Sequence, residues 1–217
     1  MRLKGKDYLV DFLKYISTKG GNNSVSLEGG AALVLVYKLK RVLSNDLDFT
    51  CSSSLALRHF INFCVEYAGS KGYRIGSNIL DKYGGRLTFL KVDRGIFHTD
   101  VYCVNRNDCE YSQRKVVFRG SFFHVQVHSI NDIIAEKLCG LIDPTRIKYR
   151  DIDDLLLLQK LRYSRNKVDK LFRQKATAKK FCPTKLTDLQ KEFPKILKKF
   201  EVKFPRRSFD SNLIANF

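Results

Sequence analysis

The segment LEGGAALVLVYKLKRVLSNDLDF, residues 27–49, decides how the rest of the sequence is interpreted. It contains the end of a predicted strand, a glycine pair, an apolar helical run, a basic and polar loop, and a second predicted strand. That second strand alternates acidic and apolar residues. Because side chains two residues apart in a strand share a face, Asp46 and Asp48 converge, while Leu47 and Phe49 point toward the core.

Two neighbouring carboxylates repel each other unless a cation neutralises them, and Mg²⁺ binds carboxylate oxygens. Asp46 and Asp48 are therefore predicted ligands of Mg²⁺ or Mn²⁺. The preceding pair, Gly29 and Gly30, lets a ligand approach the backbone closely, and amides at the start of a helix suit phosphate. The alternative is an ordinary turn followed by an edge strand with two solvated acids.

Composition narrows the class of protein. The chain has 217 residues, enough for a substantial core, and 44% of them are hydrophobic. It contains no apolar run long enough for a transmembrane helix and starts without a signal peptide, so we expect a cytoplasmic protein with no membrane partner. Six cysteines without CxxC spacing predict buried free thiols rather than a zinc site.

The net charge of +18 is concentrated near the C-terminus. Residues 160–207 hold 17 Lys and Arg against 4 Asp and Glu, which is a net +13. Such a surface favours a polyanion such as RNA and disfavours cationic substrates. The alternative is a merely solvated lysine-rich surface.

The remaining pattern predicts an α+β chain, with a mixed twisted sheet flanked by helices and a basic helical C-terminal region. Predicted helices cover residues 7–19, 54–71 and 129–142, and predicted strands cover residues 73–80, 86–92, 96–104 and 118–127. Prolines at positions 183, 194 and 205 are expected to punctuate the basic region. We expect two domains, residues 1–128 and 129–217.

Lys137 falls near the middle of the apolar face of the helix that ends at residue 142. A lysine there must either extend to solvent or meet a buried anion, because an unpaired buried charge is costly. If that anion is a bound triphosphate, Lys137→Met should fold normally. In the next helix, Asp151 lies on the apolar side and Asp154 borders it.

The string GG-x-AL-x-x-x-Y, followed by R-x-x-S-x-DLDF, AEKL at residues 135–138 and RDIDDL at residues 150–155, resembles the AbiEii-type toxin nucleotidyltransferases. That family has the polymerase-β-like nucleotidyltransferase fold. The resemblance implies that a third carboxylate, Asp100, joins the metal ligands. It also implies a nucleotide site and a set of catalytic residues. The nucleotide site comprises Gly29, Gly30, Arg41, Ser44 and Lys137; the catalytic residues are Asp46, Asp48, Lys137, Asp151 and, second to it, Asp154.

The function that these features imply is Mg²⁺-dependent transfer of a nucleotide from an NTP to RNA, with tRNA as the first candidate. By resemblance the chain is the toxin of a toxin–antitoxin pair, with a cognate antitoxin as partner. Asp151 is expected either to orient Lys137 or to help activate the acceptor hydroxyl. The alternatives are a nucleotidyltransferase that modifies a small antibiotic and a non-catalytic nucleotide- or RNA-binding protein on the same fold.

Overall fold

A mixed sheet and its flanking helices make up most of what the computed structural model describes, which is residues 7–19, 25–81, 84–91, 95–104, 109–145, 149–205 and 210–217. The strands are β1 (Val25–Glu28), β2 (Asp46–Cys51), β3 (Arg74–Asp81), β4 (Gly84–Lys91), β5 (Gly95–Cys103), β6 (Tyr111–Phe118) and β7 (Ser121–His128). The helices are α1 (Asp7–Lys19), α2 (Gly29–Leu35), α3 (Ser54–Lys71), α4 (Ile130–Ile142), α5 (Tyr149–Leu158), α6 (Arg165–Ala178) and α7 (Leu186–Lys203), followed by a 3₁₀ turn, Leu213–Asn216.

The seven strands lie in the order β3-β4-β5-β2-β1-β7-β6. β1 pairs with β2 in antiparallel and with β7 in parallel orientation, and β2 pairs with β5 in parallel. The pairs β3–β4, β4–β5 and β6–β7 are antiparallel. The predicted mixed sheet is therefore confirmed, and β2 lies at its centre.

The chain divides into two compact units. The first, here called the sheet unit, comprises Met1–Asn107 and Tyr111–His128, and it contains the whole sheet. The second, here called the helical unit, comprises Asp108–Glu110 and Ser129–Phe217. The predicted domains, residues 1–128 and 129–217, stay a prediction.

Aromatic packing fixes which face of β2 is buried. Phe49 contacts Phe12 of α1, with ring centroids 6.3 Å apart, and Phe60 of α3, with centroids 5.1 Å apart. All three rings are almost fully buried. Since α1 and α3 cover this face of the sheet, the alternating carboxylates of β2 project to the opposite face.

In the helical unit, the predicted start of α4 is confirmed, because the Ser129 side chain accepts a hydrogen bond from the Asp132 amide at 3.2 Å. The expectation that Pro194 interrupts the helical structure of the basic region is wrong. Pro194 lies inside α7, where neighbouring apolar side chains are buried on both sides of it, Phe193 and Ile196 among them. Their packing holds the helix despite the missing N–H donor.

Two predicted boundaries differ from the structure. Helix α2 ends at Leu35, so the apolar helical run predicted after the glycine pair is helical only in its first part. Strand β6 begins at Tyr111, seven residues before the predicted strand, because β7 pairs with it along its whole length. Residues 112–115 are polar, so apolar alternation could not reveal this strand. No helix within the described ranges is long and apolar enough to span a membrane.

Candidate active site

Acidic side chains from three adjacent strands line up on the face of the sheet opposite α1 and α3. In the strand register, Asp48 of β2 pairs with Glu28 of β1 on one side and with Asp100 of β5 on the other. Asp46 pairs with His98. Directly paired residues share a face, so Glu28, Asp48 and Asp100 form a row, here called the carboxylate row.

Asp46 lies beside this row with an oxygen suited to a metal. Its Oδ1 is buried and has no hydrogen-bond partner among the described residues. A buried carboxylate oxygen without a partner is costly, and a divalent cation would satisfy it. Hard carboxylate oxygens are the ligands that Mg²⁺ and Mn²⁺ accept. The donors present therefore fit the metal that the sequence predicts.

Arg86 of β4 closes one end of the carboxylate row. It pairs in register with Asp100 and binds it through two parallel hydrogen bonds, Nε to Oδ1 and Nη2 to Oδ2, each 2.6 Å long. The hydrogen bonds to Asp100 raise the pKa of Arg86 above its ordinary value. Both oxygens of the predicted third metal ligand are thus engaged by a guanidinium group.

The glycine pair has a structural role that sequence reasoning did not foresee. Gly29 has a φ of 65°, and a Cβ added there would lie 2.3 Å from Asp48 Oδ2. A Cβ on Gly30 would lie 2.0 Å from Nη1 of Arg41. The pair therefore makes room for a carboxylate on one side and a guanidinium on the other. The remaining predicted nucleotide ligand, Ser44, is half-buried just before β2.

A histidine that sequence reasoning missed supports the other end of the row. His128 is buried, and its Nε2 lies 2.7 Å from Oγ1 of Thr50 and 3.8 Å from Oε2 of Glu28. The Tyr37 hydroxyl donates to the His128 carbonyl oxygen at 2.6 Å. The residue ends β7, and only the parallel pairing of β7 with β1 brings it to the site.

Lys137 lies in the helical unit and is buried, as its place on the apolar helix face predicts. Its Nζ lies 2.8 Å from a carboxylate oxygen of Asp151 and 2.8 Å from one of Asp154. Burial lowers the pKa of Lys137, but the two carboxylates outweigh burial and raise it above its ordinary value. The buried anion that Lys137 requires is therefore supplied by the protein, and the three residues form what we call the lysine triad.

A family model for the nucleotidyl transferase AbiEii toxin of type IV toxin–antitoxin systems matches residues 11–213. The chain belongs to this family. The AbiEii resemblance predicted from the GG, DLDF, AEKL and RDIDDL motifs is thereby confirmed, and so, at the level of the family, is the expectation of a nucleotidyltransferase. A search of curated proteins found no match.

Solved structures show the same fold for this AbiEii family member. MenT4, a nucleotidyltransferase toxin from Mycobacterium tuberculosis H37Rv, is similar with a TM-score of 0.62 and 18% identity over 78% of this chain. The chain spans 62% of MenT4. The antibiotic-resistance factor ANT(2'')-Ia has a TM-score of 0.54 and 16% identity, covering 83% of this chain and 97% of its own.

A third similar structure is an antigenic nucleotidyltransferase-like protein from Paracoccidioides brasiliensis, with a TM-score of 0.50 and 13% identity over 88% of this chain and 93% of its own. At these identities the likeness concerns the fold alone. The predicted nucleotidyltransferase fold is confirmed.

The lysine triad reverses the expectation for Lys137→Met. Because this substitution leaves Asp151 and Asp154 buried without their cation, we expect it to lower the free energy of unfolding by about 3–5 kcal/mol. Lys170→Met, at an exposed position on α6, is the matched control and should change it by less than about 0.5 kcal/mol. Urea unfolding followed by circular dichroism measures both. A Lys137→Met protein as stable as the parent would show that the triad contributes no stability.

Proposed function

We propose that this AbiEii family member transfers a nucleoside monophosphate from an NTP to an RNA acceptor, with tRNA as the first candidate. The observation that carries the proposal is that Asp46 and Asp48 share one face of β2 and that Oδ1 of Asp46 is buried with no hydrogen-bond partner among the described residues. Two carboxylates on one strand face can bind Mg²⁺ or Mn²⁺. In a member of a nucleotidyltransferase family, that metal would in turn bind the phosphates of the NTP.

The proposed reaction is a displacement at phosphorus. A hydroxyl oxygen of the RNA attacks the α-phosphorus, the new O–P bond forms, and the bond from the α-phosphorus to the bridging oxygen breaks. Pyrophosphate leaves with the electron pair, and the hydroxyl proton passes to solvent. A bound divalent metal supplies positive charge that stabilises the oxygens as charge develops on them. Asp46 and Asp48 hold that metal in the proposal, and Gly29, Gly30, Arg41 and Ser44 bind the nucleotide.

Asp100 has a different part in this proposal from the one that the sequence implied. Its two oxygens already accept hydrogen bonds from Arg86 at 2.6 Å. A metal there would be a second cation on a carboxylate whose charge Arg86 already offsets through a bidentate, charge-assisted pair. We therefore propose a metal site built on Asp46 and Asp48, with Asp100 held by Arg86.

For the lysine triad we propose that Asp151 and Asp154 orient Lys137. This is one of the two roles that the sequence suggested for Asp151, and the 2.8 Å contacts support it. The nucleotide-binding role of Lys137 that the family resemblance implies stays part of the proposal.

The acceptor and partner proposals rest on charge and family. A chain with net charge +18 attracts RNA and repels cationic antibiotics, which argues against the small-molecule alternative. Not every lysine of the basic segment is available, since Lys179 pairs with Glu136 at 2.5 Å. Lys180, Lys198 and Lys199 are exposed. We propose that the chain acts in the cytoplasm as a toxin and that a cognate antitoxin restrains it.

The transfer reaction can be tested with NTPs labelled at the α-phosphate. Incubated with Mg²⁺ and total RNA, the parent should label RNA with at least one of the four NTPs. Asp46→Ala and Asp48→Ala should lose transfer, by at least about 10³-fold if the metal site is destroyed. The matched control is Asp153→Ala, which removes a half-buried acid outside the proposed site. Labelling by the two aspartate variants at the parent rate, or in excess chelator, would contradict the proposal.

RNA binding by the basic segment should depend steeply on salt. The logarithm of affinity should fall with the logarithm of salt concentration by about 0.7 per neutralised phosphate of a single strand. Charge reversal at Lys180, Lys198 and Lys199 should reduce both RNA affinity and this slope while leaving NTP affinity unchanged. Filter binding across a salt series measures both quantities.

The matched control for this series is charge reversal at three exposed basic residues of the sheet unit, Lys19, Arg58 and Arg74. Equal losses in the two variants would mean that net charge alone matters. An unchanged slope in the C-terminal variant would remove that segment from RNA binding.

A further inference from the structure

The outer face of the β6–β7 hairpin carries apolar and cationic side chains that no part of the proposed reaction uses. In the hairpin register, Val117 pairs with Phe122 and Lys115 pairs with His124. Val117 is 61% exposed and Phe122 57% exposed. Lys115 and His124 are also exposed. We call these four residues the hairpin patch.

The phenyl ring of Phe122 is held in a defined setting. Lys115 Nζ lies 4.0 Å from the ring centroid, and the imidazole of His124 packs edge-on at a centroid distance of 5.8 Å and an interplanar angle of 83°. A cation over the face and a ring at the edge orient an aromatic side chain at the surface. The patch is thus an oriented aromatic side chain beside a positive charge.

Charge makes this patch attractive to a polyanion. Residues 111–128 contain no Asp or Glu. The turn residue Arg119 is paired with Asp7 of α1, so its charge is already offset. The ammonium group of Lys115 lies over the phenyl ring and is exposed, so it can bind phosphate as well.

The hairpin patch shares its sheet face with the carboxylate row. Phe122, His124 and His128 are separated by even numbers of residues along β7, so their side chains share a face. On that face the imidazole of His128 approaches Glu28 and Thr50. The intervening residues Phe123 and Val125 are buried on the opposite face. Phe122 lies about 20 Å from His128 along the strand, at about 3.3 Å per residue. A short single strand laid on this face could therefore reach from the patch to the row.

We propose that the hairpin patch binds single-stranded RNA, with Phe122 stacking on a base and Lys115 contacting a phosphate. Aromatic side chains on exposed strands bind single strands in this way, because every base has a flat face and every linkage a charge. The patch would then guide the acceptor strand toward the carboxylates. This inference rests on the proposed RNA acceptor and names the surface of the protein that binds it.

The test is direct binding of a labelled single-stranded RNA of about 12 nucleotides, followed by fluorescence anisotropy. Phe122→Ala should weaken binding about tenfold, while Phe122→Tyr, which keeps the ring, should bind like the parent. Lys115→Gln should lower the salt slope by about 0.7. Val65→Ala and Arg58→Gln, at exposed positions of α3 on the other side of the sheet, are matched controls and should bind like the parent.

A second measurement keeps the inference testable if a variant folds poorly. Irradiation of the parent with 4-thiouridine-containing RNA should crosslink a peptide from residues 111–128. Crosslinks confined to other peptides would overturn the inference.

Three further outcomes separate the explanations. If the parent binds RNA and Phe122→Ala binds equally well, this inference fails while the proposed acceptor stands. If the parent binds no RNA, the proposed acceptor itself fails. If Phe122→Ala alters sedimentation from dimer to monomer at unchanged RNA affinity, the patch is a contact between two copies of the chain, and the inference is overturned.

Discussion

Repulsion within the carboxylate row is the constraint on which the site depends. Glu28, Asp48 and Asp100 lie directly opposite one another on neighbouring strands, and like charges in such positions destabilise a sheet. The protein offsets one end of the row with Arg86. Oδ1 of Asp46, which has no hydrogen-bond partner within the described part of the chain, marks where a further cation would stabilise the fold.

Packing in the surrounding fold holds the carboxylates in place despite their mutual repulsion. Phe12 and Phe60 bury the opposite face of β2, so the carboxylates cannot rotate into the core. Gly29 lets the Asp48 carboxylate lie against the chain where any larger residue would collide with it. In the helical unit the charges of the lysine triad are reversed, since two buried acids balance one buried cation. Both clusters are therefore held by charge balance and packing together.

The sequence predicted the parts of the site that local periodicity controls. Alternation over residues 46–49 placed both aspartates on one face, and the observed bounds of α1 and α3 agree with the predicted helices. Arg86, Glu28 and His128 escaped notice because their positions depend on pairing between strands distant in sequence. The position of Lys137 on the apolar face of α4 correctly predicted a buried anion beside it. The sequence could not show that the next helix supplies two carboxylates for this purpose. The polar strand β6 was missed because edge strands need little apolar alternation.

The central claim is that Asp46 and Asp48 hold the metal while Arg86 keeps Asp100 from it, and Mn²⁺ titration followed by electron paramagnetic resonance tests it most directly. The account predicts that Asp48→Asn weakens Mn²⁺ binding at least about tenfold, whereas Asp100→Asn binds Mn²⁺ like the parent. Arg86→Met should tighten binding, because it frees the carboxylate of Asp100. An Asp100→Asn protein that loses Mn²⁺ as completely as Asp48→Asn would contradict the account and restore Asp100 to the ligand set.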